Sequence, residues 1–314
     1  MKNTFSLLRI LLACLCINTL CAYAATTPYK GVLWKASKGH QNTVDQEIYL
    51  WGVTHAIPQD SNYRLTKTVK NIAARNNLYI AEADVSREKD TKNTVSKNLL
   101  LPEGTTLRDV LTEDAYIAFQ ENFRRLGLPD VMMTEFEKFR PVTLYDVAYF
   151  ELPEEKNKTK YKSGYDEILK QQQIANKKNI FYFESLKETL DIFEAACPGK
   201  TDVSTLLIEK FNLQNYKLGL TYSQTLDHLM AEGNLRELNT LIAKMHTELR
   251  SEEIEYRCSV VPRNKMWAQK IKALKTTDMP VLVTVGAFHL LGEGSLIELL
   301  KKDGYKVEFI EQEE

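Results

Sequence analysis

Two tetrapeptides in this chain share one pattern, Gly52-Val53-Thr54-His55 near the start and Gly286-Ala287-Phe288-His289 near the end. A neutral imidazole can ligate a metal or accept a proton. A lone GxxH arises by chance in many proteins, and a His at a strand end is commonly only a hydrogen-bonded structural residue. Two of the chain's five histidines in matching surroundings weigh more than one. Glu82 belongs with them. It lies in Ile80-Ala81-Glu82-Ala83-Asp84, where Glu82 and Asp84 share one face of an extended segment. A carboxylate there is expensive to bury unless it meets a cation, and its bland reading is a surface or helix-cap contact. Two imidazoles and a carboxylate form a site for a divalent ion, Mn, Co or Zn, with open positions for water, as in hydrolytic metal enzymes. There is no HExxH, so these ligands come from distant parts of the chain. His40, His228 and His246 have no such setting and read as surface or helix-face residues.

Elements must bring the two histidines together. The strand Ile48-Tyr49-Leu50-Trp51 runs into the first tetrapeptide, a helix with Leu65, Val69 and Ile72 on one face follows, and the strand Leu78 to Ala83 closes the unit. The second unit runs from the strand Val281 to Val285 through His289, a loop with Gly292 and Gly294 and the helix Ser295 to Gly304 into the strand Tyr305 to Ile310. In open α/β sheets ligands bind beyond the carboxyl ends of the strands, which is where both histidines should point. The opening Gly of each tetrapeptide would let the chain leave its strand sharply and let a ligand approach the backbone. Strands are also expected at Val32 to Ala36 and Asn179 to Phe183. The expected fold is α/β, a mixed sheet built from two strand-GxxH-helix-strand units with a large helical insertion at about 105–275.

Residues 1–24 read as a secretory signal: Lys2 and Arg9 precede an apolar run to Leu20, and Ala22-Tyr23-Ala24 is a small-x-small cleavage pattern. The mature chain, 25–314, is then periplasmic or secreted. A lipoprotein signal ending at Cys14 is the weaker alternative, because the apolar stretch before it is short. No later stretch approaches the ~18 unbroken apolar residues of a membrane span. Without Lys2 and Arg9 the 41 basic residues fall to 39 against 42 acidic, a formal charge of −3, so no basic field draws nucleic acid. Cys14, Cys16 and Cys21 lie in the leader, which leaves Cys197 and Cys258 as the only pair in an oxidising compartment. A disulfide is expected; two unrelated buried thiols are the alternative.

The sequence resembles the TraB/GumN family, which is similar to the Tiki metalloproteases. The resemblance runs through LWKA and YLWGVTH, the AEAD strand, LPEGTTLRDVL, FRPVTLYDV, Gly164-Tyr165-Asp166, YFESLKETLDIF, Arg263-Asn264-Lys265-Met266-Trp267 and VGAFHLLGEGSLIELLKKDGYKV, the last being the most specific. It implies a metal-dependent peptidase-type site containing His55, His289 and Glu82. Arg263 and Asn264 match the family's Arg-Asn pair. Asn264 would meet a substrate carbonyl or water, and Arg263 would hold a carboxylate in its fork; the bland reading is an ordinary helix-start Asn and a surface Arg. Asp166 and Glu184 also fall on family-like positions. The sequence departs from the family pattern at Phe288, where a small residue is common, and in YFESLKE.

The expected function is therefore an exported metal-dependent hydrolase acting on peptides or small molecules, in which His55 and His289 bind the ion and Glu82 binds it or acts as general base. Ligand imidazoles must be neutral, so activity should fall below about pH 6 to 6.5. Two other readings stay open. One is capture of a peptide or small signal without cleavage, since fold does not fix function. The other is a metal-free esterase with a His base, suggested by a resemblance to erythromycin-esterase-type enzymes. Oligomeric state is not readable.

Overall fold

The computed structural model describes residues 27–38, 46–59, 61–83, 97–125, 130–144, 161–274 and 279–313. The expected leader, with Cys14, Cys16 and Cys21, lies outside these residues, as do His40 and Asp84.

Six segments of alternating or fully apolar sequence form the main sheet: β2 (Val32–Lys38), β3 (Gln46–Val53), β6 (Leu78–Ala83), β8 (Asn179–Glu184), β9 (Val281–Gly286) and β10 (Lys306–Phe309). All six residues of β9, Val-Leu-Val-Thr-Val-Gly, are buried, as a strand covered on both faces requires. The spatial order is β10-β2-β3-β9-β6-β8. Strand β9 pairs in parallel with β3, Val53 opposite Gly286, and with β6, Ala81 opposite Thr284. Strand β2 runs antiparallel to both β3 and β10, which makes the sheet mixed. Four three-residue strands were too short to show any periodicity. They are β1 (Thr27–Tyr29), paired with β5 (Tyr63–Leu65), and β4 (Ala56–Pro58), paired with β7 (Tyr161–Ser163).

Helix α1 (Lys67–Arg75) lies between β5 and β6. After β6 come α2 (Leu107–Val110), α3 (Glu113–Arg125), α4 (Asp130–Phe136) and, past β7, α5 (Tyr165–Ala175). Beyond β8 the chain is helical through α6 (Leu186–Ala196), α7 (Lys200–Phe211), α8 (Leu213–Glu232), α9 (Leu235–Glu248), α10 (Arg250–Glu255), a π turn (Tyr256–Val260) and α11 (Val261–Lys272). Helix α12 (Leu296–Lys302) precedes β10.

The two GxxH units cross the sheet in opposite directions. The chain leaves β3 and passes β9 by way of α1 to reach β6; it leaves β9 and passes β3 and β2 by way of α12 to reach β10. Right-handed crossovers of opposite direction put their helices on opposite faces. The strand order therefore reverses between β3 and β9, and such a reversal opens a crevice at the carboxyl ends of the strands. Alternation along β6 serves both faces: the Tyr79 hydroxyl donates to the Asp166 carbonyl in α5 at 3.2 Å, and Glu82 meets Arg263 of α11.

The inserted helices carry cores of their own, one of them around Phe193, Leu206 and Ile254. Within that cluster the expected disulfide, Cys197–Cys258, joins the end of α6 to the π turn, with Cα atoms 5.6 Å apart. Among the described residues no helix is long and apolar enough to cross a membrane.

Candidate active site

The first tetrapeptide leaves β3 and is gripped at once. The buried Tyr29 hydroxyl accepts the Thr54 N–H at 3.0 Å and lies 3.1 Å from Thr54 Oγ1. Next, the His55 carbonyl accepts the Gly164 N–H at 2.8 Å, where β4 and β7 pair. A Cβ on Gly164 would lie 2.2 Å from the Thr54 carbonyl oxygen and 2.6 Å from the His55 carbonyl carbon, so only Gly permits this approach. It delivers Asp166 in the first turn of α5, whose Oδ2 is 2.8 Å from His55 Nδ1. The ring is thereby turned with Nε2 toward Glu82, 3.5 Å from Oε1. With its side chain 53% exposed, His55 forms the open mouth of the site.

His289 ends a short 3-10 turn after β9 and is buried. Its Nδ1 lies 2.7 Å from Asn264 Oδ1, and Asn264 Nδ2 donates to the Gly294 carbonyl at 3.1 Å. That carbonyl can only accept, which fixes the amide; Nδ1 of His289 must then carry the hydrogen and Nε2 the lone pair. Gly292 and Gly294, at φ +78° and +75°, let the following loop curl back in a left-handed conformation. The Tyr256 hydroxyl in the π turn donates to the Leu291 carbonyl at 2.7 Å and pins that loop. Trp267 lies against the His289 ring with centroids 4.2 Å apart.

Glu82 stands between the two imidazoles. Its Oε1 accepts the Gly286 N–H and lies 3.5 Å from His55 Nε2 and 3.8 Å from His289 Nε2. Its Oε2 accepts from Arg263 Nη2 at 3.0 Å. The glycines of the motifs make this packing possible. A Cβ on Gly286 would lie 2.8 Å from His55 Nε2, and one on Gly52 would lie 2.6 Å from Val32 Cγ2 and 3.2 Å from the Ala287 Cα. Neither glycine has a positive φ. The expected reason for them, a sharp exit from the strand, gives way to another: without side chains the two motifs can lie side by side.

Arg263 sits over the Trp267 ring at 4.8 Å, donates from Nε to Glu184 Oε1 at 2.6 Å, and places Nη1 3.2 Å from His289 Nε2. The Glu184 side chain is fully buried and also accepts from Trp267 Nε1 and Thr189 Oγ1, each at 3.0 Å. Burial pushes the Glu184 carboxyl up. Burial would raise Glu82 as well, but His55, His289 and Arg263 outweigh it and hold that carboxyl well below the usual range. Burial favours a neutral His55, yet Glu82 and Asp166 prevail and raise it to about 10. His289 lacks a second carboxylate, and burial, aided by Arg263 and His55 against Glu82, pushes it down to about 3.

The donor chemistry of His55 Nε2, His289 Nε2 and the Glu82 carboxylate fits a Mn, Co or Zn ion. Asp166 and Asn264 orient the imidazoles from behind, as partners of metal-bound histidines do. The Glu82 oxygen lies 3.5 and 3.8 Å from the two Nε2 atoms, but the three donors do not all lie within 4.8 Å of one another. Among the described residues the one trio whose donors all lie within 4.8 Å of one another is Cys197, Asp202 and Cys258, and that pair of cysteines is already joined in a disulfide.

Several expectations shift. Asn264 was expected to meet a substrate carbonyl or water; it is fully buried, with one amide end on the Gly294 carbonyl and the other against His289 Nδ1. Arg263 does hold a carboxylate, but two at once. Glu184, at its family-like position, is buried behind Arg263. The expected acid threshold near pH 6 to 6.5 assumed ordinary imidazoles, whereas Glu82 and Asp166 raise His55 to about 10 in this structure. His228 is exposed beside Glu232, and His246 lies against Tyr256. Two contributors had no assigned role, Trp267 and Tyr29. Arg263 and Trp267 are spaced i, i+4 on one helix face, a signal that could have paired them; nothing local marks Tyr29.

A family model described as the TraB/PrgY/gumN family matches residues 32–309. A curated relative from Amphimedon queenslandica, "Metalloprotease TIKI homolog", is 26% identical over 155 residues, which cover 45% of this chain and 28% of that protein. The chain thus spans little more than a quarter of that relative's length. No solved structure matches. Because the family match runs from the first residue of β2 to the last of β10, and so takes in every strand of the main sheet together with His55, Glu82, Asp166, Arg263, Asn264 and His289, this chain belongs to the TraB/PrgY/gumN family.

Proposed function

We propose that the protein is an exported metal-dependent hydrolase of peptidase type. One observation carries the reading: a single oxygen of a partly buried carboxylate is faced by the Nε2 atoms of two histidines, one from each GxxH unit. The relative named a metalloprotease homolog supports it at the level of chemistry. His55, His289 and Glu82 would hold the ion. When bound, a divalent ion supplies Lewis acidity, which lowers the pKa of water and polarises a carbonyl. The chain's own part is to orient and to neutralise. Asp166 and Asn264 fix the two rings, Glu82 supplies the anionic donor, and the His55 side opens to solvent for an entering peptide.

A second reading has one observation in its favour. The His55–Asp166 contact is how a carboxylate orients an imidazole base, which suits a metal-free esterase. Metal analysis of the purified protein with turnover of a peptide library separates the two. The proposal expects one equivalent of metal, lost in His55→Ala, and turnover abolished by EDTA. Turnover without metal would favour the His base, and metal without turnover would favour a binding protein.

A further inference from the structure

Arg263 touches two of the three proposed donors. Its Nη2 lies 3.0 Å from Glu82 Oε2 and its Nη1 3.2 Å from His289 Nε2, the lone pair that an ion would need. Nη2 also lies 2.5 Å from Glu184 Oε1, beside Nε at 2.6 Å, with the Trp267 ring beneath. Glu184 is itself fixed by Trp267 and Thr189. The side chain therefore grips Glu184 through Nε and Nη2, shares Nη2 with Glu82, and turns Nη1 to His289.

We propose that Arg263 is a positioning residue that holds the cation site until an ion arrives: its fork spans Glu82 and His289, and it withdraws onto Glu184 when a divalent cation binds. This rests on the metal-dependent reading above. The physical reason is competition. A guanidinium and a divalent ion both seek the Glu82 carboxylate, and His289 Nε2 has a single lone pair to share between them. Glu184, fully buried and of no use as a ligand, acts as the partner that keeps the withdrawn guanidinium neutralised.

Titration of chelator-stripped protein with Co2+, followed by visible absorbance, tests this. Two variants are used because Arg263→Met alone would strand the buried Glu184. Arg263→Lys keeps the charge on Glu184 but cannot fork to three acceptors, and Arg263→Met with Glu184→Gln removes both charges. Each is expected to bind Co2+ about tenfold more tightly than the parent, the factor that one charged hydrogen bond contributes to holding a site closed. If the fork served only to brace Glu82, both variants would bind more weakly, and equal or weaker binding in whichever variant folds overturns the proposal. Parent protein that binds Co2+ while the variants gain nothing leaves the hydrolase reading standing. If neither parent nor variants bind Co2+, both readings fall.

Discussion

At the scale of single residues, the site opposes two histidines of unlike character. His289 is refused a proton by burial and its pKa is pushed down to about 3 from an ordinary 6.5, whereas His55, flanked by Glu82 and Asp166, is raised to about 10. The linkage follows from proton counting. Between pH 6.5 and 3 the unfolded chain takes up a proton that folded His289 declines, so stability should fall as pH is lowered through that window. Glu82, held low, adds to the same loss as pH falls below its ordinary 4.5. His55 acts in the opposite sense, its contribution being complete below pH 6.5 and lost as pH rises toward 10. Urea midpoints measured from pH 4 to 10 should therefore show His289→Gln losing part of the acid slope and His55→Gln part of the alkaline slope. Parallel curves for all three proteins would contradict the assigned charges. These roles were only partly legible. Two GxxH motifs and Glu82 could be read as a set, but Asn264 could not be assigned to His289, because an Asn at a helix start looks the same whether its amide faces solvent or a buried ring.

At the scale of elements, the site exists because β3 and β9 are neighbours, and the glycines at their ends are what allow it. Gly52 and Gly286 should respond differently to Ala. A Cβ on Gly52 meets Val32 Cγ2 and the Ala287 backbone, neither free to move, so Gly52→Ala should cost about 1–3 kcal/mol of stability as an overpacked core site. A Cβ on Gly286 meets the tip of the His55 side chain, which can swing into solvent; Gly286→Ala should lose only what the His55 contacts contribute, a smaller cost than Gly52→Ala, and weaken cation binding. Equal destabilisation by both substitutions would contradict the packing described. The six main strands were readable because each is a short β-branched or aromatic run, and their observed limits fall within two residues of those expected. The pairing of β4 with β7 was not, since three residues carry no period. Nor was Gly164, whose requirement comes from a chain segment more than a hundred positions away.

At the scale of the whole molecule, the inserted helices are coupled to the sheet through α11, which carries Arg263, Asn264 and Trp267. The Cys197–Cys258 disulfide ties that helix, by way of the π turn, to α6, which follows Glu184. Replacing both cysteines by Ala should lower stability by up to about 4 kcal/mol on the chain-entropy account, read as a lower urea midpoint. An unchanged midpoint would show that packing around Phe193 and Ile254 suffices without the bond. The pair was legible from elimination within the sequence. That it braces the helix bearing Arg263 was not, because the sequence gives no sign that α6 and the π turn meet.

The central claim is spatial, that two imidazoles and one carboxylate serve a single ion. Crystals grown with Co2+ and measured at its absorption edge test it most directly. The account predicts one strong anomalous peak about 2.1 Å from Nε2 of His55, Nε2 of His289 and an oxygen of Glu82. A peak elsewhere, or none while the protein turns over peptide, would contradict it.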